Sequence, residues 1–371
     1  MQDCRNVKMI DLPAEYQDRK AEFDEAIAQV LKRGDFIKGK AVQDFEFDFA
    51  AYLNAKYVIT CGNGTDALQI ALMALGIKEG DEVIVPAFSY VAVLEVICLL
   101  KATPVLVEVD PLYFQLEPQQ VKQAITERTK AIIPVHLFGQ CANMAEILRI
   151  AESHHLFVIE DAAQAIGASY QHKKLGTLGH IGCTSFFPTK NLACYGDGGA
   201  LITNDDSLAE KIRMVASHGQ KQKYQHEILG VNSRLDTLQA AILQVKLKYL
   251  NDSLLKKKAV AEKYVQQLGA IGNIIVPQTF AAASHSWHQF TIRVKHQQRN
   301  SLKAYLKAKG IDSMIYYPQV LNQQKAYENI GGSFPVSQAL TEEVLSLPVH
   351  DRLLEQDVLY ICQTIQEFYG S

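Results

Sequence analysis

Short apolar runs alternate with helical periods along the middle of the chain. The runs have the length of buried strands and lie at residues 57–61, 83–86, 103–109, 131–136, 157–161 and 183–187. Segments between them, such as residues 64–76 and 142–155, have helical character. Strands that alternate with helices in this way predict an α/β fold with a mostly parallel central sheet covered on both faces.

The two ends of the chain show other patterns. Residues 10–33 carry apolar side chains near helical spacing and predict an amphipathic helix. From about residue 251 a lysine-containing helix is followed by a run at residues 287–293 and by a second helix at residues 299–309. We therefore predict a large α/β domain at residues 1–250, which includes the N-terminal helix, and a smaller α+β domain at residues 251–371.

The composition is that of an ordinary globular protein. The chain has 371 residues, of which 48% are hydrophobic and 21% charged, and a formal net charge of −3. The chain has no basic arm, so its charge pattern does not indicate a nucleic-acid partner. The most apolar stretch, residues 90–100, contains Glu95 and is too short to span a bilayer, and no signal segment opens the chain. We expect a cytoplasmic protein without a membrane partner.

The cysteines give no sign of a disulfide or zinc framework. Seven are scattered along the chain without a Cys-x-x-Cys pair, at Cys4, Cys61, Cys98, Cys141, Cys183, Cys194 and Cys362. This spacing predicts reduced thiols rather than disulfides or a zinc site, and we expect no metal.

One lysine stands out in the stretch at residues 183–203. The short apolar run, Pro188 and the glycines at 196, 198 and 199 predict a strand, a tight turn and a second strand. Lys190 is the single cation from Ile181 to Asn204. A lysine beside a buried strand is costly to desolvate unless it has a partner or a chemical role. The alternative is a side chain that simply extends to solvent.

A carboxylate at the end of the preceding strand favours the chemical role. Asp161 closes the apolar run at residues 157–161, and Gln164 follows it. In open α/β sheets, side chains at the carboxyl ends of strands point into the crevice where ligands bind. A lysine and an aspartate at two such ends suggest pyridoxal phosphate (PLP). Lys190 would form the Schiff base, and Asp161 would keep the pyridine nitrogen protonated.

A glycine turn leads from the first strand into a helix at residues 62–67. Free backbone N–H groups at this helix start predict an anion site, here a cradle for the cofactor phosphate. The spacing Gly62-x-Gly64-x-x-Ala67 also matches a dinucleotide fingerprint, which leaves an NAD-dependent oxidoreductase as an alternative. That fingerprint needs an acid at the far end of the next strand. Asp81 and Glu82 instead precede the strand at residues 83–86, so the phosphate cradle is favoured.

Four segments together resemble the DegT/DnrJ/EryC1/StrS sugar aminotransferases: residues 159–164, 185–190, 196–199 and 230–241. The resemblance extends from residues 10–12 to 346–350. It implies fold type I, as in aspartate aminotransferase, PLP as cofactor, and a homodimer whose active sites are shared between subunits. A sugar dehydratase of this fold usually has histidine in place of Lys190, and a catalytically silent binding protein would not need the complete cofactor set.

The resemblance also implies which residues bind the cofactor. Lys190 is the catalytic residue, Tyr90 covers the ring, and Gln164 lies near the ring hydroxyl. Asn232 reaches the phosphate of the other subunit. The full implied cofactor set is Gly64, Thr65, Asp66, Tyr90, Asp161, Gln164, Ser185, Lys190 and Asn232. His136 also ends a strand, and we favour a hydrogen-bonded core histidine there.

The resemblance also implies a set of substrate contacts, and two of these residues differ from those usual in the family. The contacts comprise Gly34, Phe36, Thr189, Arg234, Tyr316 and Tyr317. Phe36 lacks the hydroxyl of a tyrosine, and Tyr316 stands where the family often has histidine. Residues 62–70 and 183–188 most resemble one branch of the family. That resemblance implies transfer of an amino group from glutamate to C3 of UDP-2-acetamido-2-deoxy-3-oxo-hexuronate, for cell-surface polysaccharide such as lipopolysaccharide O-antigen. A dTDP-3-keto-6-deoxyhexose is the alternative acceptor.

Overall fold

The computed structural model describes residues 6–370, so Cys4 lies outside the described residues. The helices are α1 (Leu12–Asp18), α2 (Lys20–Arg33), α3 (Lys40–Leu53), α4 (Gly64–Ala74), α5 (Ala92–Leu99), α6 (Pro118–Ala124), α7 (Met144–Ser153), α8 (Asp206–Val215), α9 (Thr237–Leu268), α10 (Arg299–Ala308), α11 (Pro335–Glu343) and α12 (Glu355–Tyr369). The strands are β1 (Tyr57–Cys61), β2 (Glu82–Pro86), β3 (Thr103–Val107), β4 (Thr129–Ile132), β5 (Phe157–Asp161), β6 (Ser169–Tyr170), β7 (Lys173–Lys174), β8 (Ile181–Ser185), β9 (Gly199–Thr203), β10 (Gln220–Gln222), β11 (Gln225–His226), β12 (Ile274–Ile275), β13 (Ala283–Ser284), β14 (Phe290–Val294) and β15 (Val344–Leu347).

The central sheet has seven strands in the order β1-β9-β8-β5-β4-β2-β3. Strand β9 runs antiparallel to both of its neighbours, and the other pairs are parallel. Asp161 at the end of β5 pairs in register with Cys183 of β8. The predicted α/β fold with a mostly parallel sheet is confirmed, and the parallel strands bring their carboxyl ends to one edge.

Helices cover both faces of this sheet, which explains the continuous apolar runs. Along β2, Val83 and Val85 join the core that contains α4 and α5, whereas Ile84 joins the core that contains α6 and α7. Successive strand residues point to opposite faces, so a strand covered on both sides must be apolar throughout. Each such buried side chain contributes about 1.5–3 kcal/mol.

The predicted tight turn between β8 and β9 is wrong. Residues 186–198 form a longer loop, in which Phe186 is buried and Phe187 is 49% exposed. Cys194 N–H donates to the Phe186 carbonyl, and Phe186 N–H donates to the Gly198 carbonyl. The loop folds back on itself through these bonds, and this leaves Lys190 at its far end. The cysteines that the structure describes are free thiols.

The C-terminal part has a core of its own. Strands β12, β14 and β15 form an antiparallel sheet, and α10 and α12 pack with it around Phe290, Leu302 and Ile361. Helix α9 runs without a break through residue 250, so the expected boundary lies inside a helix. The division into two domains at residues 250/251 stays a prediction. The separate C-terminal core supports two domains, but the helix is continuous across the expected boundary. Within residues 6–370 no helix has the length and apolarity to cross a bilayer.

Candidate active site

A cavity of about 640 Å³ lies at the carboxyl ends of the central strands. Most of the predicted site residues meet there, although they come from segments spread over more than half of the chain. The predicted residues that line it are Gly64, Thr65, Asp66, Tyr90, Asp161, Gln164, Ser185, Thr189, Lys190, Tyr316 and Tyr317. The cavity is therefore the candidate active site.

Lys190 lies in the loop after β8, where its N–H donates to the Phe187 carbonyl at 2.8 Å. Burial lowers its pKa from 10.5 to about 8, and the charge of Asp161 partly opposes that shift. No carboxylate of residues 6–370 forms an ion pair with the Lys190 amine. A much larger fraction of this amine is therefore neutral near neutral pH than for an ordinary lysine, and only a neutral amine can act as a nucleophile or a base.

Asp161 ends β5 and is 8% exposed. Its Oδ1 accepts from the Ala163 N–H at 3.0 Å, which holds the carboxylate at the cavity wall. Burial raises the pKa of Asp161, while the Ala163 N–H and the charges of Lys190 and His136 lower it. A buried carboxylate in this position can stabilise a cationic N–H of a ligand.

The amide of Gln164 is oriented by a backbone group. Its Oε1 accepts from the Phe138 N–H at 2.8 Å, so the Nε2 side must face the other way, where it donates to the Tyr317 hydroxyl at 3.0 Å. Burial raises the pKa of Tyr317, which therefore stays protonated. The ring of Tyr90 lies 6.0 Å from the Tyr317 ring, and Tyr90 is 54% exposed at the cavity mouth.

The start of α4 forms a cradle with little room for side chains. The Asn63 side chain caps the helix by accepting from the Asp66 N–H at 2.8 Å, which leaves the first N–H groups of the helix open. A Cβ at Gly64 would lie 2.7 Å from the Cβ of Ser185, and one at Gly199 would lie 2.4 Å from the Asn63 carbonyl oxygen. Open N–H groups and a close backbone fit a phosphate.

We expect Gly64→Ala to weaken cofactor binding about tenfold or more, because Ser185 and the helix start must separate to admit the new methyl group. Overpacking of this kind costs about 1–3 kcal/mol. The measurement is the PLP dissociation constant, with thermal denaturation of the apoenzyme alongside. Gly272→Ala is the control, because a Cβ there meets nothing within 4 Å. Equal PLP affinities for wild type and Gly64→Ala would contradict the cradle.

Asp66 has a further contact that the sequence did not suggest. Its Oδ2 accepts from the Ser233 hydroxyl at 2.5 Å, and Ser233 Oγ in turn accepts from the Gly62 N–H at 2.8 Å. Asp66 thus connects the glycine turn to the segment that carries Asn232. Its contact with a phosphate stays a prediction.

The geometry also bears on the dinucleotide alternative. Glu82 begins β2 and accepts from the Thr126 hydroxyl at 2.5 Å, while Arg128 forms an ion pair with its carboxylate. These contacts lie at the amino end of the strand, opposite the edge where the cavity opens. Glu82 therefore does not stand where this fingerprint needs an acid for a ribose.

Four predicted residues do not line the cavity of their own chain: Gly34, Phe36, Asn232 and Arg234. They share one exposed face, where residue 37 forms a bridge with Asp236 and the Phe36 carbonyl accepts from the Thr237 N–H. Gly34 ends α2 with a φ of 70°. The expectation that Asn232 serves the cofactor of a second subunit agrees with this exposure and stays a prediction.

Several cavity residues were missed from the sequence, namely Asn63, Phe187, Asp197, His288 and Gln289. His288 is 7% exposed and its Nδ1 has no hydrogen-bond partner among the described residues. Burial and the nearby charges of Lys190 and Lys257 hold its pKa well below the usual 6.5. The signal was the polar pair His288-Gln289 immediately before an apolar strand.

His136 is the core histidine that we favoured. Its Nε2 lies 2.9 Å from Glu160 Oε2, and its Nδ1 accepts from the Ala142 N–H. Glu160 also accepts from the N–H groups of Gly176, Leu178 and Gly179. Because side chains alternate along a strand, Glu160 points away from the cavity that Asp161 lines. No group of three or more metal-binding side chains occurs in the described part of the chain.

The residues present fit PLP. The cradle at Gly64 suits its phosphate, Asp161 suits a protonated ring nitrogen, and the nearly unpartnered Lys190 suits its aldehyde. The Gln164 amide and the Tyr317 hydroxyl supply polar contacts on the same wall.

Comparison with known proteins identifies the group to which this site belongs. Residues 17–366 match the DegT/DnrJ/EryC1/StrS aminotransferase family. A "pleiotropic regulatory protein" of Geobacillus stearothermophilus is 47% identical over 98% of this chain and 99% of its own. The UDP-2-acetamido-2-deoxy-3-oxo-D-glucuronate aminotransferase of Pseudomonas aeruginosa is 45% identical, covering 97% and 99%. The dTDP-3-amino-3,4,6-trideoxy-alpha-D-glucose transaminase of Streptomyces venezuelae is 40% identical, covering 98% and 96%.

Solved structures agree. The DesV crystal structure from S. venezuelae superposes with a TM-score of 0.96 at 40% identity, covering 99% of both chains. NtdA of Bacillus subtilis, with bound cofactor PMP, superposes with a TM-score of 0.92 at 31% identity, covering 99% of this chain and 86% of its own. The chain therefore belongs to the DegT/DnrJ/EryC1/StrS family and is a PLP-dependent nucleotide-sugar aminotransferase of fold type I.

Proposed function

We propose that this aminotransferase moves an amino group from glutamate to C3 of UDP-2-acetamido-2-deoxy-3-oxo-hexuronate, in the synthesis of cell-surface polysaccharide such as O-antigen. The observation that carries the proposal is the 45% identity, over nearly the full length of both chains, to the P. aeruginosa enzyme named for that substrate. The S. venezuelae relative supports a dTDP-linked 3-keto-deoxyhexose as the second candidate acceptor.

A basic cluster supports an acidic acceptor. Lys38, Arg213 and Arg234 lie near one another on the exposed face described above, and Lys38 donates to the Ser217 hydroxyl at 2.7 Å. Burial lowers the pKa of Lys38, and the charge of Arg234 lowers it further. Glu46 partly neutralises the cluster, at 3.6 Å from Arg213. A carboxylate or diphosphate would relieve this repulsion.

The same face supports a shared active site. Phe36, Asn232 and Arg234 are exposed in the single chain and lie outside its own cavity. We propose a homodimer in which this face completes the cavity of the partner subunit, so that the basic cluster meets the sugar nucleotide there. Cytoplasmic location stays a prediction.

The cavity residues divide the chemistry among them. Bound PLP supplies an electron sink for the negative charge that develops when a carbon next to the amino group loses its proton. Lys190 Nζ is placed to take that proton, and its lowered pKa near 8 suits a base working close to neutral pH. Asp161 would hold the proton on the ring nitrogen of the bound cofactor through its negative charge. The hydrogen bond between Gln164 and Tyr317 holds these two side chains in place, and they would orient the flat ligand.

The proposal is tested with the cofactor-loaded protein. Glutamate should remove the visible absorbance band of the lysine-bound cofactor, and the keto-uronate should restore it. The matched neutral sugar, UDP-linked 2-acetamido-3-oxo-glucose, and the dTDP-linked keto sugar are added to separate samples. Restoration by the dTDP sugar alone would move the assignment to the second candidate, and no response to any of them would remove both.

Arg234→Gln should raise KM for the keto-uronate by about tenfold or more, because a charge-assisted hydrogen bond contributes about 1.5–3 kcal/mol. The variant should leave KM for the matched neutral sugar within about twofold. Arg149→Gln is the control, since Arg149 pairs with Glu146 on α7, away from the cavity. An equal rise in KM for both sugars would show that Arg234 does not recognise the carboxylate.

A further inference from the structure

The residue after Lys190 ties three parts of the chain together. The Asn191 side-chain amide donates to the Ser286 carbonyl at 3.0 Å and to the Ile166 carbonyl at 3.4 Å. Its oxygen accepts from the Lys257 amine of α9 at 2.7 Å. The two carbonyls belong to segments that lead into walls of the catalytic cavity. Asn191 therefore joins the Lys190 loop to those walls and to the long helix.

Lys257 is nearly fully buried, with 7% of its surface exposed. Burial lowers its pKa to about 8, and the charges of Asp351 and Glu15 oppose the shift from a distance. Within residues 6–370 the Asn191 oxygen is its hydrogen-bond partner, and no carboxylate forms an ion pair with it. A buried ammonium without a paired acid is destabilising. Packing alone does not account for a lysine at this position, since methionine would fill similar volume without that cost.

The Lys190 segment also borders open space on a second side. A second, polar cavity of about 50 Å³ is lined by Lys190, Asn191 and Lys257, together with His350 and Asp351. Lys190 thus borders this small cavity as well as the catalytic one. Where cavities replace packed side chains, hydrogen bonds must fix the position of the backbone.

We propose that Lys257 is a positioning residue for the aminotransferase reaction: by holding the Asn191 side chain, it fixes the backbone that carries Lys190 in the geometry for attack on a carbonyl. The inference concerns the chemistry shared by the whole family, so it stands whichever sugar is the acceptor. A displacement of a reacting atom by about 1 Å can cost roughly 10²-fold in rate.

The test measures Lys190 in the apoenzyme, without turnover. Lys257→Met removes the donor at similar volume, Asn191→Ala removes the acceptor, and Lys257→Arg keeps a donor. PLP uptake is followed by absorbance as a function of pH, because only neutral Lys190 attacks the aldehyde. Lys257→Met and Asn191→Ala should take up PLP about ten- to a hundredfold more slowly. Lys257→Arg should recover part of the uptake rate. The double variant, Lys257→Met with Asn191→Ala, should take up PLP no more slowly than Asn191→Ala alone.

Lys246→Met is the matched control. Lys246 lies on the same helix and is also 7% exposed, but it donates to Glu15 instead of Asn191. Uptake by Lys257→Met at the wild-type rate, or additive losses in the double variant, would overturn the proposal. So would a lowered melting temperature with an unchanged rate of uptake, which is the signature of a purely structural role. If Lys257→Met does not fold, Lys257→Gln takes its place in the same comparison.

Discussion

Replacing Lys190 by alanine is expected to lower turnover by at least about 10³-fold, because we propose that the same amine serves as nucleophile and as base. Lys190 lines the cavity beside Asp161, and no other lysine of residues 6–370 lines it. The neutral form that both roles require is available near neutral pH, since burial brings the Lys190 pKa to about 8. The variant should still bind PLP through the cradle at Gly64, without a covalent bond.

Borohydride reduction followed by mass spectrometry of peptides distinguishes covalently attached PLP from PLP that is bound without a covalent bond. Wild type should carry the cofactor mass on the peptide that contains Lys190, and Lys190→Ala should carry none. Lys190→Arg tests whether positive charge alone suffices, and it should be equally inactive. Lys173→Ala, on a short exposed strand, should behave as wild type. Substantial turnover by Lys190→Ala, or cofactor attached to another lysine such as Lys257, would reject the assignment.

The sequence could reveal the parts of the site that lie at strand ends. Asp161 and Lys190 each follow a short apolar run, and parallel strands bring their carboxyl ends together, so local patterns were enough to predict their meeting. The start of α4 could also be predicted from a local pattern, because Gly62, Asn63 and Gly64 mark both a turn and a helix cap.

Other parts depended on contacts that no local pattern records. His288 and Gln289 reach the cavity from the segment just before β14 of the C-terminal sheet, more than 90 residues after Lys190 in the chain. The unbroken α9 was missed because Asn251, Asp252 and Ser253 are weak helix formers, and packing of α9 against α2, α3 and α12 overrides that local preference. The proposed roles of Phe36 and Arg234 depend on a second subunit, which the pattern of a single chain does not reveal.

Asp161→Asn is expected to lower turnover by about 10²–10³-fold, the usual cost of losing one oriented electrostatic contact in an active site. Asparagine has the same shape and can keep the bond from the Ala163 N–H, but it carries no charge to hold a proton on the ring nitrogen. Steady-state turnover measures the loss, and the visible spectrum of the bound cofactor as a function of pH should show the ring nitrogen losing its proton at lower pH.

The stability of the apoenzyme separates this effect from misfolding. Burial raises the folded-state pKa of Asp161 above its unfolded value, so its contribution to stability is present at low pH and is lost as pH rises through the folded pKa. At neutral pH the charged side chain is therefore destabilising, and Asp161→Asn should melt at the same temperature as wild type or slightly higher.

The adjacent carboxylate provides the matched contrast. Glu160 accepts three backbone N–H groups and contacts His136, so Glu160→Gln should lower the free energy of unfolding by about 1–3 kcal/mol. Its turnover per folded molecule should change far less than that of Asp161→Asn. Of these two neighbouring acids on opposite faces of one strand, Glu160 would then stabilise the fold and Asp161 would serve the reaction. A large loss of stability in Asp161→Asn, with turnover per folded molecule retained, would instead make Asp161 a structural residue.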